Sequence, residues 1–354
     1  MLFPYTYVPH KIEKMQSFID FIFFEVWCNA NASGLFRFEL FDTNLELKGL
    51  IQALYYSDTE GGDYFYNHVE LIYNIFSSLT AVQINQLRQW YIANNDIEKV
   101  CANDPAYQVA RYKDVIGAYP ALGKKLASFF RGLYDNSFLA LSPVKSIIGD
   151  IKSHNHEFFT KNNVGKCPFC GISDLKGIHH TRREAYDHYL PKYKYPFNSI
   201  NFRNLAPACN DCNSSYKLSK DPLQNSIGRR KAFYPYTTNA TNAIEIKLSL
   251  HVSNIDLLNP ASITLQFGPT SLSEELGTWK DVYGIEERYK AKLCGENEGK
   301  YLLTQILDES IELGLSSASY FAVRSKTMAA SPYADTNFLR KPFLDACKEK
   351  GLFV

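Results

Sequence analysis

The sequence predicts an α+β protein in which a small module organised by a four-cysteine zinc site lies between mostly helical flanks. Three observations predict it. Two Cys-x-x-Cys pairs, Cys167/Cys170 and Cys209/Cys212, stand 38 residues apart, and each can present two thiolates to one ion. Apolar residues recur at helical spacing on both sides of that stretch. Two short runs, Ile244 to Val252 and Ile263 to Phe267, alternate strictly as half-buried antiparallel strands do.

Taken in order, Lys11 to Trp27 is apolar on more than one face and predicts a buried helix. Its densest part, Phe18 to Trp27, is broken by Asp20 and Glu25 and is too short to span a bilayer. Leu35 to Leu47 alternates in two arms around Asp42-Thr43-Asn44, which predicts a short hairpin. Thr80 with Gln83 reads as a capping box for a helix carrying Ile84, Leu87 and Tyr91 on one face. Helical text continues from Tyr112 to Tyr134 and from Pro143 to Phe159. A helix from Lys300 to Leu313 should stop at Gly314. The many Tyr and Phe residues could offer base-stacking platforms, but at helical spacing they read as core. These patterns divide the chain into a helical N-terminal domain (residues 1–158), the zinc module (159–235) and a C-terminal region of hairpin and helices (236–354). The module closes in the turn-rich, basic stretch 226–242.

With 45% apolar and 21% charged residues, the composition is that of a soluble globular protein. The net charge is only +1 but unevenly spread: residues 151–231 hold fourteen Lys/Arg against six Asp/Glu, a net of +8, which leaves −7 elsewhere. A basic block over the motif region is what a phosphate-binding surface requires, although a solvated basic face reads the same way. Cys28, Cys101, Cys294 and Cys347 are scattered without disulfide spacing, which together with an N-terminus lacking signal-peptide order predicts a reduced, cytoplasmic protein. No glycine-rich phosphate loop is present, so no built-in NTPase is expected.

Between the knuckles lie Asp187-His188 and Asn204-Leu205, and Asn213 follows the last cysteine directly. Over this stretch, about a seventh of the chain, the sequence resembles the zinc-containing HNH endonucleases of the ββα-metal class, in particular those of prokaryotic defence and restriction systems. The family pattern is a Cys-x-x-Cys, an Asp-His ending the first strand, an Asn-Leu in the loop and a Cys-x-x-Cys-Asn opening a helix. The resemblance implies His188 as general base, Asp187 and Asn213 as ligands of a catalytic Mg²⁺ or Mn²⁺, and Asn204 orienting the histidine. It also implies hydrolysis of the P–O3′ bond, leaving 5′-phosphate and 3′-hydroxyl ends.

The residue chemistry suits those roles. A neutral imidazole can take a proton from water near pH 7, and two oxygen ligands leave room on a divalent ion for water and phosphate. Asn204 would act through a hydrogen bond fixing the imidazole's tautomer and angle. Lys192 and Lys194, with Arg182, Arg183 and interleaved tyrosines, suit backbone contacts to nucleic acid, most readily duplex DNA. Lys217 follows Asn213 by four residues and could reach a phosphate or be solvated; Arg229 and Arg230 could line the phosphate path or a plain boundary. His179 and His180 could extend the site or serve locally. No membrane partner is expected. The flanks would choose the target or dock a partner, such as an ATPase in an antiviral defence operon. Two rivals stay open: a non-catalytic zinc ribbon binding nucleic acid or protein, and an RNA or tRNA nuclease.

Overall fold

The computed structural model describes residues 1–134, 136–238 and 244–353; part of the turn-rich boundary, residues 239–242, lies outside them. The chain is a helix-rich mixed fold with two small two-stranded sheets.

Helical turns run without a break from Lys11 to Ser33, and Met15, Phe18, Ile19, Ile22, Phe23, Val26 and Trp27 are all buried, as an all-round apolar helix requires. The hairpin expected at Leu35–Leu47 is not formed. A short 3₁₀ turn, Phe38–Phe41, is followed by a helix, Leu45–Tyr55, whose first turn is capped by the Asn44 side chain accepting from Leu47 N. Leu47, Leu50, Ile51 and Leu54 recur at helical spacing and are buried, so the longer 3.6-residue pattern outweighs the short alternation before it. The capping box at Thr80 and Gln83 is present at the start of Ala81–Asn95, and Ile84, Leu87 and Tyr91 are buried. Tyr112 to Tyr134 is mainly two helices, Tyr112–Ala118 and Pro120–Gly132. Pro143 to Phe159 likewise contributes to two, Ser142–Ile148 and Ile151–Lys161. The abundant aromatics of this half form core: Trp27, Tyr73, Tyr91, Phe129 and Phe130 are almost wholly buried.

β1 (Ala185–His188) and β2 (Leu205–Ala208) pair antiparallel, with Asp187 opposite Ala206 and His188 opposite Leu205. A seven-residue π-helical turn, Asp211–Lys217, follows. β3 (Glu245–Leu250) and β4 (Ile263–Gly268) form the second antiparallel pair, as their alternation predicts. The last helices are Ser273–Tyr283, Ile285–Leu293, Tyr301–Glu312, Ser317–Ala330 and Asn337–Glu349. Gly314 takes a left-handed φ of 66° just after the third.

Two hydrophobic cores meet at the β1–β2 pair. One holds the N-terminal helices and is completed by Tyr186, Phe197, Phe202 and Leu205. The other holds the four knuckle cysteines with Met1, Leu2, Tyr5, Ala206, Ala208 and the C-terminal helices. β2 is buried at every residue because its alternating side chains enter opposite cores. No helix is long and apolar enough to cross a membrane among the described residues.

Candidate metal centre and active site

The knuckles bring the sulfurs of Cys167, Cys170, Cys209 and Cys212 within 4.8 Å of one another, all buried. In the first knuckle, Gly171 N donates to Cys167 O at 2.6 Å, and Gly171 adopts a φ of 69° that other residues resist. In the second, Cys212 N donates to Cys209 Sγ at 3.4 Å and Asn213 N to Cys209 O at 3.0 Å. Four buried sulfurs converging on one point can hold a metal ion, and the all-thiolate set suits zinc.

Residues far along the chain support this centre, and no local motif announces them. Arg288 Nη1 lies 3.2 Å from Cys212 Sγ, its guanidinium stacked 4.6 Å over the Tyr216 ring. Tyr289 donates from its hydroxyl to Cys170 O at 2.8 Å, and Trp279 Nε1 donates to Phe169 O at 2.6 Å. Four thiolates around a divalent ion carry a net charge of −2, so a buried guanidinium at the sulfur offsets part of it.

β1 delivers Asp187 and His188 side by side, and alternation sends them to opposite faces. His188 is half-buried, its Nε2 2.8 Å from the Ser199 carbonyl oxygen. A carbonyl only accepts, so Nε2 carries the proton and Nδ1 keeps its lone pair. The ring meets Tyr134 edge-on at 4.6 Å. Burial, and then the charge of Lys192, push the imidazole down to about 3, while the Ser199 carbonyl opposes them. The ring is therefore neutral at physiological pH.

Asp187 is 3% exposed and Lys217 1%. Lys217 Nζ donates to Asp187 Oδ1 and to the His188 carbonyl, each at 2.8 Å. Burial raises the Asp187 carboxyl above its ordinary value, and Lys217 works against that shift. Asp187 Oδ2 has no hydrogen-bond partner among the described residues. Asn213 sits in the π-helical turn, half-buried, with no side-chain hydrogen bond among the described residues. Such turns occur disproportionately at functional sites.

Several sequence expectations are corrected here. Asn204 does not bond the imidazole. It is fully buried, accepting from Leu190 N at 2.7 Å and donating to Leu190 O at 3.1 Å and Asn198 O at 3.3 Å. It thus ties Leu190 to Asn198, the residue before Ser199 in the β1–β2 loop, so any hold on His188 is indirect. Lys217 is not a surface phosphate contact, because it is buried against Asp187. Arg230 is buried and ion-paired to Asp281 at 2.7 Å, with a second bond to Asp221 O. Arg229 donates to the carbonyls of Tyr107 and Val100. Both arginines tie the module to its neighbours. Spacing could not reveal this, since Asp281, Tyr107 and Val100 lie 51 to 129 residues away. Lys192 and Lys194 are half-buried; Lys192 Nζ lies 5.7 Å over the rings of Tyr134 and Tyr193. His179 and His180 are exposed.

Fold and site together define a helix-rich α+β chain with a buried four-cysteine centre able to hold a metal ion such as zinc. Compared with protein-family models, curated proteins and solved structures, the chain matches none.

Proposed function

We propose that this protein is a metal-dependent HNH endonuclease with a structural zinc, cutting DNA. The observation that carries the reading is His188, held by the Ser199 carbonyl with Nδ1 left to accept a proton, beside a carboxylate with one unpartnered oxygen. The local order β1, β2, short helix, closed by the cysteines, supports it.

In this reading Nδ1 takes a proton from the attacking water, the new P–O bond forms, and the P–O3′ bond breaks with its electron pair leaving on the 3′-oxygen, which takes a proton from solvent; the ends are 5′-phosphate and 3′-hydroxyl. An imidazole at about 3 is a weak base, and the negative charge of a phosphodiester placed against it would raise its basicity. Asp187 Oδ2 and the Asn213 amide oxygen, neither with a hydrogen-bond partner among the described residues, would be the ligands of a Mg²⁺ or Mn²⁺ ion; such an ion would supply charge stabilisation to the phosphate and leaving oxygen. Lys217 fixes the carboxylate's other oxygen and thereby its orientation.

One observation favours a second reading, a non-catalytic zinc module. Lys217 already neutralises Asp187, which lessens the carboxylate's pull on a cation. The two readings separate on supercoiled plasmid with Mg²⁺, with Mn²⁺ and with chelator, using wild type and His188→Ala. The nuclease reading expects metal-dependent nicking that falls by at least a hundredfold in His188→Ala, at unchanged folding. Nicking by His188→Ala at the wild-type rate would remove His188 from the reaction, and no nicking by wild type would favour the ribbon. An RNA substrate of the same sequence tests the RNA-nuclease rival. From the resemblance alone, we also propose a place in prokaryotic antiviral defence, in the cytoplasm beside an ATPase partner.

A further inference from the structure

A cleft of about 590 Å³ opens between the Ile151–Lys161 helix and the loop that leads into β1. Lys152 and His156, four residues apart on one helix face, line one side; His180, Arg182 and Arg183 line the other. Among the described residues, no carboxylate lines it. Two other clefts mix their signs: the groove beside β3 sets Glu245, Asp345 and Glu349 against lysines, and the pocket at Arg203 carries Asp20, Asp96 and Glu98. Among the described residues, Lys152, Arg182 and Arg183 form no ion pair; Lys152 and Arg182 are exposed to solvent, while Arg183 is half-buried and donates to the Glu184 carbonyl.

The cleft also adjoins the catalytic strand. Ala185, its last lining residue, begins β1, and Arg183 lies 5.9 Å over the ring of Tyr186. Three residues of extended strand separate Ala185 from His188, a reach of about 10 Å. That is roughly three phosphates of rise along one strand of a duplex.

We propose that this cleft grips the phosphodiester backbone of the strand being cut, a few phosphates from the scissile bond. The proposal rests on the nuclease reading for the position of the scissile bond, but not for the grip itself. Contacts of this kind position a nucleic acid without reading its bases. The shared chemistry is the phosphodiester, so single-stranded DNA, duplex DNA and RNA are separate arms of the test.

The test uses the full chain with His188→Ala, so that binding is read without cutting. Fluorescence anisotropy of labelled 20-mers of each type, across a salt series, compares this protein with one also carrying Lys152→Gln and Arg182→Gln. A charge-matched control carries Lys124→Gln and Lys326→Gln, which are exposed and outside the cleft. The cleft variant should bind at least one polymer tenfold or more weaker, with the slope of log K against log salt shallower by about two, at an unchanged melting temperature. The control should bind as its parent. Equal losses in cleft variant and control, or no loss in the cleft variant, would overturn the proposal. Plasmid cleavage on the His188 background separates the two readings. If the wild type cuts and the cleft variant binds undiminished, only the cleft is lost. If the cleft variant alone loses binding and the wild type never cuts, the grip stands and the nuclease reading falls.

Discussion

Lys217 and Asp187 show how a charged residue changes meaning once its surroundings are known. Both sit in the interior, and their 2.8 Å contact is the most deeply buried ion pair among the described residues. Taking two charges out of water is expensive, so such a pair contributes little net stability, while removing one partner strands the other. Lys217→Met should therefore destabilise the protein by about 3 kcal/mol, read by urea unfolding, and leave the salt dependence of nucleic-acid binding unchanged. Wild-type stability in this variant, or a shallower salt slope, would return Lys217 to the role of a phosphate contact. The same logic separates the arginines. Arg229 and Arg230 hold carbonyls and Asp281, whereas Arg182 is exposed and unpaired. All three are basic residues of one stretch in the sequence, and whether each finds a partner is set by the fold and not by its neighbours.

At the scale of elements, the Ile151–Lys161 helix connects the N-terminal core to β1. Asp150 caps it, its side chain accepting from Ser153 N at 2.9 Å, and His154 and Phe158 face Tyr186. His154 is 2% exposed, with Nδ1 2.6 Å from the Tyr186 hydroxyl. Burial first, and the nearby His10 second, lower its imidazole to about 4. A histidine whose folded value lies below its unfolded one stabilises the fold fully above about pH 6.5, and that stability is lost as pH falls towards 4. Between pH 7.5 and pH 5 the loss from this group should be about 2 kcal/mol. Urea unfolding at both pH values should show that difference in the wild type but not in His154→Gln; the same pH loss in both proteins would put the cause elsewhere. The helix itself was legible from apolar spacing, as were the Thr80 capping box and the β3–β4 alternation. The failed hairpin at Leu35–Leu47 marks the limit of that reading. Alternation over a few residues needs a partner strand, and Asn44 instead starts a helix whose apolar stripe is buried in the N-terminal core.

For the whole molecule, the cysteine centre lies inside a core that also contains the C-terminal helices. Arg288, Tyr289 and Trp279 bind the knuckles directly. Metal binding there would be coupled to the packing of both ends of the chain. Purified protein should contain about one zinc per chain. Stripping it with a strong chelator should lower the melting midpoint by about 10 °C or more and loosen the environment of Trp279, seen in its fluorescence. An unchanged midpoint in metal-free protein would show that packing alone holds this core. The sequence by itself determined the helix-rich α+β character, the helices that begin near Lys11, Thr80, Tyr112, Ser142 and Tyr301, the antiparallel β3–β4 pair and the four cysteines that meet. All of these depend on periodicity or on ligand spacing within short stretches. Only the tertiary structure decided that Lys217 is buried, that Asn204 secures a loop instead of the imidazole, and that Arg288 completes the cysteine centre. It also brought Lys152 and His156 across from the Arg182–Arg183 loop. Those outcomes depend on burial and on partners tens to over a hundred residues away, and the free energy of a charged or polar side chain is set by that environment more than by its own place in the chain.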